Sequence, residues 1–318
     1  MSTTVNLFLC AAPRSGSTQL AAWLDTHPDI SLLPVKEPNH FSSQDFDPVR
    51  VRETHLNDVD PEAYVRAGTR KFYQFAVFRD PAHYAHLAEG LATRWVMDAS
   101  TSYLQSDGAI ARIRAYNPQA VVVVLLRDPV ERALSHLRLA QRTGRTRRSL
   151  PEQLAAEGGA EAEGFLLRFS RYRAALARLA AEVPEEQIVR LRFEDMVADP
   201  ARALAPLCAR LGIDVTELDL AAERRNAGDA PRFPRFNAWA MESGLKPLVG
   251  RVISPELKTR LRGAFFQKAA AEDGPAPKAR AALEAALSDE VAAYRSPAAD
   301  LPAPNLHAPD MPTSAPTS

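Results

Sequence analysis

Short, nearly continuous apolar runs recur along the chain, and each leads into a polar loop and then a helical pattern. The clearest runs cover residues 5–10 and 120–126, a third covers 187–193, and a weaker one covers 93–97. Strands of this kind are typical of a parallel sheet that is covered on both faces. The pattern therefore predicts an α/β fold, a doubly wound parallel sheet flanked by helices.

Helix boundaries are marked most clearly near residue 200. Asp199 is suited to cap a helix, Pro200 to take its first position, and Gly212 to follow its last turn. Upstream, residues 165–182 place Ala and Leu on one side and Arg on the other at helical spacing. That spacing predicts one long amphipathic helix over 165–182.

The composition changes towards the end of the sequence. Residues 296–318 are rich in proline and have little apolar periodicity. Such a segment cannot bury enough apolar surface to offset the entropy lost on ordering. We expect a single domain over residues 5–295, followed by a Pro-rich disordered tail over 296–318.

Charge and cysteine content exclude several classes of function. The 318 residues include 39 Lys and Arg against 39 Asp and Glu, so no overall basic field favours nucleic acid. No apolar run approaches the roughly 18 residues of a membrane span. Cys10 and Cys208 lie in apolar stretches, which fits neither a disulfide framework nor a zinc site. Because residues 1–9 lack a secretory signal pattern, we expect a cytoplasmic protein.

The loop after the first predicted strand has the make-up of a phosphate cradle. It combines a glycine that allows close backbone approach, three hydroxyl donors and one fixed positive charge, just before a helix N-terminus. These candidate binding residues are Arg14, Ser15, Gly16, Ser17 and Thr18. A Ser-rich turn that merely caps the helix is the alternative for this segment.

The same loop departs from the pattern of nucleoside triphosphate P-loops, G-x-x-x-x-G-K-[ST]. Ala11 replaces the first glycine, and Ser17 stands where the lysine belongs. The segment instead resembles the 5′-phosphosulfate loop of sulfotransferases, P-[KR]-[SG]-G-[ST]-[ST], which follows the first strand. The resemblance implies a P-loop-like fold and the cofactor 3′-phosphoadenosine-5′-phosphosulfate (PAPS).

A second candidate phosphate loop follows the strand at 120–126. Asp128 can cap the next helix, and Arg127 stands at the carboxyl end of the strand. Residues 126–135 resemble the sulfotransferase 3′-phosphate motif L-R-[ND]-P-x-[ED]-R-x-x-S. The resemblance implies that Arg127 and Ser135 hold the 3′-phosphate of the cofactor. Taken alone, the segment is as compatible with a helix cap that carries a surface ion pair as it is with phosphate binding.

The candidate catalytic residues lie between these two loops. Sulfuryl transfer to an alcohol needs a base for the hydroxyl proton and cations for the charge on the leaving phosphate. Residues 36–41 resemble the K-E-P-x-[HY]-[FY] segment of carbohydrate sulfotransferases. The resemblance implies that Glu37 is the base, that Lys36 and Arg14 stabilise the leaving group, and that His40 is a second candidate base. A charged turn is the alternative.

Two further segments resemble the same family, in part. Residues 192–200 match a strand-to-helix passage, with Phe193 in place of the usual tyrosine, and we expect its Glu194 to be structural. Residues 98–104 resemble a segment that reads x-K-[ST]-P-x-Y-L. This chain has Ala99 and Thr101 where that segment has its lysine and proline.

Arginines elsewhere leave two interpretations open. The loop at 226–232 resembles a loop near the end of bacterial sulfotransferases. This resemblance implies that Arg232 also binds the 3′-phosphate, and the alternative is that Arg232 is a solvated surface residue. Residues 142–148 contain four arginines. They form either a rim that binds an anionic acceptor or, more commonly for such a run, a solvated loop.

The resemblance covers most of the chain and implies a metal-independent, PAPS-dependent sulfotransferase that releases adenosine 3′,5′-bisphosphate (PAP). The acceptor is expected to be a hydroxyl of a glycan or a small natural product, with in-line transfer. The alternatives are a P-loop kinase that uses ATP and magnesium and a non-catalytic nucleotide-binding module. Neither the acceptor nor the oligomeric state follows from the sequence.

Overall fold

The computed structural model describes residues 3–53, 56–157, 164–222 and 276–295, and the backbone of two short strands between the last two ranges. Arg232 and the tail predicted at 296–318 lie outside the described residues. The expectations for them, and the extent of the domain, therefore stay predictions.

Five parallel strands form the main sheet, in the order β2-β5-β1-β6-β7. Two further pairs lie outside it, β3 with β4 in parallel and β8 with β9 in antiparallel orientation. The described strands are β1 (Leu7–Ala11), β2 (Ile30–Leu32), β3 (Val35–Glu37), β4 (Tyr73–Phe75), β5 (Trp95–Asp98), β6 (Val121–Leu126), β7 (Ile188–Arg192), β8 (Asp229–Pro231) and β9 (Phe266–Lys268). Since the sheet is parallel, the carboxyl ends of its strands meet at one edge.

Helices connect and cover these strands. The described α-helices are α1 (Ser17–Leu24), α2 (Pro48–Glu53), α3 (Pro61–Arg66), α4 (Pro81–Ala88), α5 (Ala109–Tyr116), α6 (Pro129–Arg142), α7 (Leu150–Glu157), α8 (Arg173–Glu182), α9 (Phe193–Ala198), α10 (Pro200–Leu211), α11 (Pro277–Ala286) and α12 (Ser288–Arg295). Within the described ranges, none is long and apolar enough to cross a membrane.

The sheet is covered on both faces because alternate residues of each central strand point in opposite directions. In β1, Phe8 and Cys10 pack with α4, α5 and α8 on one face. Leu7 and Leu9 pack with α1 and α10 on the other face. The two resulting cores are separate, and a third lies between α6, α7 and the C-terminal helices. The predicted doubly wound parallel sheet is confirmed.

The predicted helix at 165–182 is wrong in its first half. The chain forms a short 3-10 turn at Arg168–Ser170, and the α-helix begins only at Arg173. Arg132, a fully buried arginine of α6, contacts this stretch. Its guanidinium donates to the carbonyls of Phe165 and Leu166 at 2.9 and 2.7 Å. A side chain from another helix thus satisfies these backbone carbonyls, which lie in a turn instead of a helix.

Candidate functional site

The loop between β1 and α1 has the backbone of an anion-binding nest. Arg14 and Gly16 have positive φ values of 73° and 87°, on either side of Ser15. Turns that alternate in this way point successive N–H groups into one concavity. Gly16 is the N-cap of α1, and no side chain caps that helix. The helix N-terminus therefore adds donors and a partial positive charge to the same concavity.

Hydroxyl groups of the same loop are buried. Ser15 is fully buried, and its Oγ has no hydrogen-bond partner among the described residues. Ser17 is buried as well, whereas Thr18 is half-buried. A buried hydroxyl without a hydrogen-bond partner destabilises the fold unless a ligand or a water molecule forms a hydrogen bond with it. The loop thus matches the donor set that an anionic group requires.

Gly16 is required by its neighbours as well as by its backbone. A Cβ atom built there would lie 2.8 Å from Cδ2 of Phe193 and 3.0 Å from Cε of Met196. The aromatic ring of Phe193 therefore packs directly under the loop. This close packing holds the loop against α9.

Replacing Gly16 by Ala is expected to reduce the free energy of unfolding by about 2–4 kcal/mol. The left-handed backbone contributes about 1–2 kcal/mol and the overlap with Phe193 the rest. Gly68→Ala is the matched control, because Gly68 also has a positive φ but nothing lies within 4 Å of its Cβ position. Denaturant unfolding of both variants checks this; equal losses would contradict the packing argument.

The second predicted loop lies against the first. Nη1 of Arg127 donates to the carbonyl oxygen of Arg14 at 3.1 Å, and Nε of Arg14 donates to Oγ of Ser135 at 3.3 Å. The guanidinium of Arg127 lies 4.6 Å from the ring centroid of Phe193. Its Nε is buried without a hydrogen-bond partner among the described residues, and burial lowers the pKa of Arg127. The two loops therefore form one cationic site.

The C-terminal helices contact residues around this second loop. The sequence predicts the loop but not these contacts. Asp128 caps α6, and its own N–H donates to Glu194 at 3.1 Å. Glu194 also accepts a hydrogen bond from the hydroxyl of Tyr294 in α12. Arg280 of α11 pairs with Glu131 at 2.7 Å. These contacts give Glu194 the structural role that is expected for it from the sequence.

Lys36 and Glu37 lie at the end of β3, beside the first loop. Lys36 is 1% exposed, and its Nζ lies 3.5 Å from Oγ of Ser17, 2.9 Å from Oε1 of Glu37 and 3.3 Å from the carbonyl oxygen of Ala99. Oε2 of Glu37 accepts from Oγ1 of Thr101 at 2.9 Å. A buried ammonium group thus links the candidate phosphate cradle to the candidate base.

A buried polar network fixes the backbone after Glu37. Asn39 is fully buried at a positive φ of 52°, and its Nδ2 donates to the carbonyl oxygens of Glu37 and Ala76. Its N–H donates to Oγ of Ser100 at 3.1 Å, and that hydroxyl donates to Asp98 at 2.7 Å. Asparagine adopts this conformation more readily than most residues, which is the only sequence signal for its role.

Asp98 is the buried centre of that network. Besides the hydroxyl of Ser100, it accepts hydrogen bonds from the hydroxyls of Tyr84 and Tyr103 at 2.9 and 2.7 Å. Burial raises the pKa of Asp98 to about 6, in spite of the three donors. Tyr103 itself is fully buried.

The raised pKa of Asp98 makes stability depend on pH. A carboxyl group with a higher pKa in the folded state stabilises the fold fully below its unfolded value of 3.8, and this contribution is lost as the pH rises through about 6. Between pH 4 and 7 the wild type is therefore expected to lose about 2 kcal/mol relative to Asp98→Asn. Parallel denaturant titrations measure this difference; a constant difference would contradict it.

His40 lies in an aromatic cluster. Its ring stacks on Tyr84 at 4.4 Å, its Nδ1 lies 2.9 Å from the carbonyl oxygen of Phe78, and it meets Phe41 edge-on. Burial lowers the pKa of His40, so the neutral ring is favoured. These contacts give it a packing role, and its role as a second candidate base stays a prediction.

The arginine run at 142–148 begins where α6 ends. Burial and the neighbouring charges of Arg132, Arg145 and Arg14 lower the pKa of His136 to about 3. Within the run, Arg145, Arg147 and Arg148 are exposed. Within the described ranges, no cluster of His, Cys, Asp and Glu side chains is arranged to hold a metal ion.

Comparisons with known proteins agree with this geometry. A sequence profile described as "Sulfotransferase family" matches residues 6–217, which include both loops and Glu37. Carbohydrate sulfotransferase 15 of Mus musculus and that of Homo sapiens are each 27% identical over 146 residues, 41% of this chain. The aligned part is 26% of these curated relatives, so most of their length is unmatched.

A solved structure extends the match to the fold. The sulfotransferase from Alicyclobacillus acidocaldarius is 25% identical, has a TM-score of 0.56, and covers 77% of this chain and 96% of its own. The profile match alone spans more than half of the sequence. With both anion loops in place at the carboxyl edge of a parallel sheet, this chain belongs to the sulfotransferase family.

Proposed function

We propose that this protein transfers a sulfuryl group from PAPS to an acceptor hydroxyl, in line, and releases PAP. The observation that carries the proposal is the contact between the buried Lys36 ammonium and Ser17 of the first loop, 3.5 Å apart. It joins an anion cradle to a carboxylate that can act as a base.

The binding residues fall into two groups. In the first loop Arg14, Ser15, Gly16, Ser17 and Thr18 would hold the 5′-phosphosulfate. Arg127 and Ser135 would hold the 3′-phosphate, with Arg232 as a further candidate from outside the described residues. Oγ of Ser15 and Nε of Arg127 have no hydrogen-bond partner among the described residues, so each loop offers at least one donor to an anion. We assign the activity to a domain over residues 5–295.

Glu37 is assigned as the base and Lys36 as the cation at the reacting end. When bound, PAPS supplies the sulfuryl group and receives, on its phosphate oxygen, the electrons of the bond that breaks. Glu37 takes the proton of the acceptor hydroxyl on a carboxylate oxygen. Lys36 and Arg14 stabilise the negative charge that grows at the first loop, since preorganised cations act strongly in a dry site.

The acceptor is proposed to be a glycan hydroxyl, with a small natural product as the second candidate. The partial match to carbohydrate sulfotransferase 15 and the segment around Lys36 support the first. We place the enzyme in the cytoplasm, since the buried thiols Cys10 and Cys208 are unpaired, as is usual in a reducing compartment.

Thermal unfolding with PAP, and with ATP plus magnesium, tests the cofactor. Selective stabilisation by PAP is expected, and selective stabilisation by ATP would replace this proposal by the kinase. Turnover is then measured as PAP release from PAPS with methyl glycosides and phenols as acceptors. No release with any acceptor would leave a binding module, and loss of activity in EDTA that magnesium restores would refute metal independence.

A further inference from the structure

We propose that Thr101 is a positioning residue for the base of this reaction, in that its hydroxyl orients the carboxylate of Glu37. The inference rests on the proposed role of Glu37 and goes beyond it. Thr101 stands where the resembled family segment has proline, so this chain has a hydroxyl at a position that the family pattern leaves without one.

The geometry shows how the carboxylate is held. Oγ1 of Thr101 donates to Oε2 of Glu37 at 2.9 Å, while Nζ of Lys36 donates to Oε1 at 2.9 Å. Gln74 also approaches Oε1, at 3.5 Å. With a separate donor on each oxygen, the carboxylate plane cannot rotate freely. Each oxygen still has a lone pair to accept a proton.

The position of Thr101 does not depend on Glu37. Its two chain neighbours are anchored to the segment that carries the base: Ser100 through the N–H of Asn39 at 3.1 Å, and Ser102 through Oδ1 of Asn39 at 2.6 Å. Ser100 is held in turn by the buried Asp98. The hydroxyl of Thr101 is therefore presented to the carboxylate by a preformed support.

The negative charge of the Glu37 carboxylate gives the contact with Thr101 a functional as well as a structural role. A hydroxyl that donates to a carboxylate favours its ionised form, which is the form that accepts a proton. Proline at this position would offer neither a hydroxyl nor a backbone N–H. Thr101 thus does in this chain a task that the family pattern assigns to no side chain at that position.

Thr101→Val tests the inference, because it keeps the side-chain shape and removes the hydroxyl. We expect kcat to fall about tenfold, in line with the loss of one charge-assisted hydrogen bond, with the KM for PAPS nearly unchanged. Thr101→Ser should restore kcat. The assay is PAP release with the most active methyl glycoside or phenol.

Thr93→Val is the matched control, since the hydroxyl of Thr93 donates to a backbone carbonyl, that of Trp95 at 3.0 Å, and not to a carboxylate. It should leave kcat and the KM for PAPS unchanged. Normal kcat in Thr101→Val would overturn the inference, provided that Glu37→Gln is inactive. If Glu37→Gln is active, the base assignment itself fails. Thr101→Ala replaces the valine variant if that does not fold, as judged by stabilisation with PAP.

Discussion

Glu37→Gln is expected to lower kcat by about 10²–10⁴-fold, because general-base catalysis contributes that much and an amide cannot take the acceptor proton. The variant keeps the size of the side chain and an oxygen for Lys36 or Thr101. PAP affinity, measured by calorimetry, should therefore change little. Stopped assays of PAP release give the turnover.

Two controls make this result specific. Glu62→Gln removes a carboxylate from an exposed ion pair with Arg66 and should leave turnover unchanged. His40→Ala addresses the second candidate base, with PAP-induced stabilisation as evidence that its aromatic cluster still folds. Normal turnover in Glu37→Gln with loss in His40→Ala would assign the base to His40. If neither substitution matters, the Lys-Glu-Pro resemblance misassigns the catalytic segment.

Arg127→Ala is expected to weaken PAP binding by about 10–100-fold. The reason is the loss of charge-assisted hydrogen bonds worth about 1.5–3 kcal/mol each. Ser135→Ala should weaken binding less, because a neutral hydroxyl contributes a weaker bond. Isothermal titration calorimetry at fixed salt measures both.

The truncation also removes the contact of Arg127 with the carbonyl of Arg14, so folding needs a control. The melting temperature of the unliganded variant supplies it. Arg66→Ala, at an exposed surface position, should bind PAP as the wild type does. Unchanged affinity in both Arg127→Ala and Ser135→Ala would remove these residues from the 3′-phosphate site.

Four of the five strands of the main sheet could be predicted because their signal is local; β2 (Ile30–Leu32) is too short to give one. The run at 120–126 is apolar throughout, and β6 lies within it, at Val121–Leu126. Asp199 and Gly212 likewise mark the observed ends of α10. In the first part of the helix predicted at 165–182, backbone carbonyls accept hydrogen bonds from Arg132, a side chain distant in the sequence. Periodicity carries no information about such a partner.

The charged residues of the candidate site could be predicted from the sequence. The polar network that holds them in place could not. Arg14, Arg127 and Lys36 stand in motifs, and the structure brings them to one edge of the sheet. The network of Asp98 and Asn39 links segments far apart in the sequence, in a pattern of common polar residues. Tertiary contacts alone define it, so no local pattern indicates that it holds the segment of Glu37.

The Tyr294–Glu194 hydrogen bond has a consequence for how short a working chain could be. A protein ending at residue 217, where the family match stops, would contain every strand of the main sheet and both loop sequences. It would lack Tyr294 and Arg280, which secure Glu194 and Glu131 beneath the second loop. The stretch of sequence that identifies the family is therefore smaller than the folding unit that supports the two candidate phosphate loops.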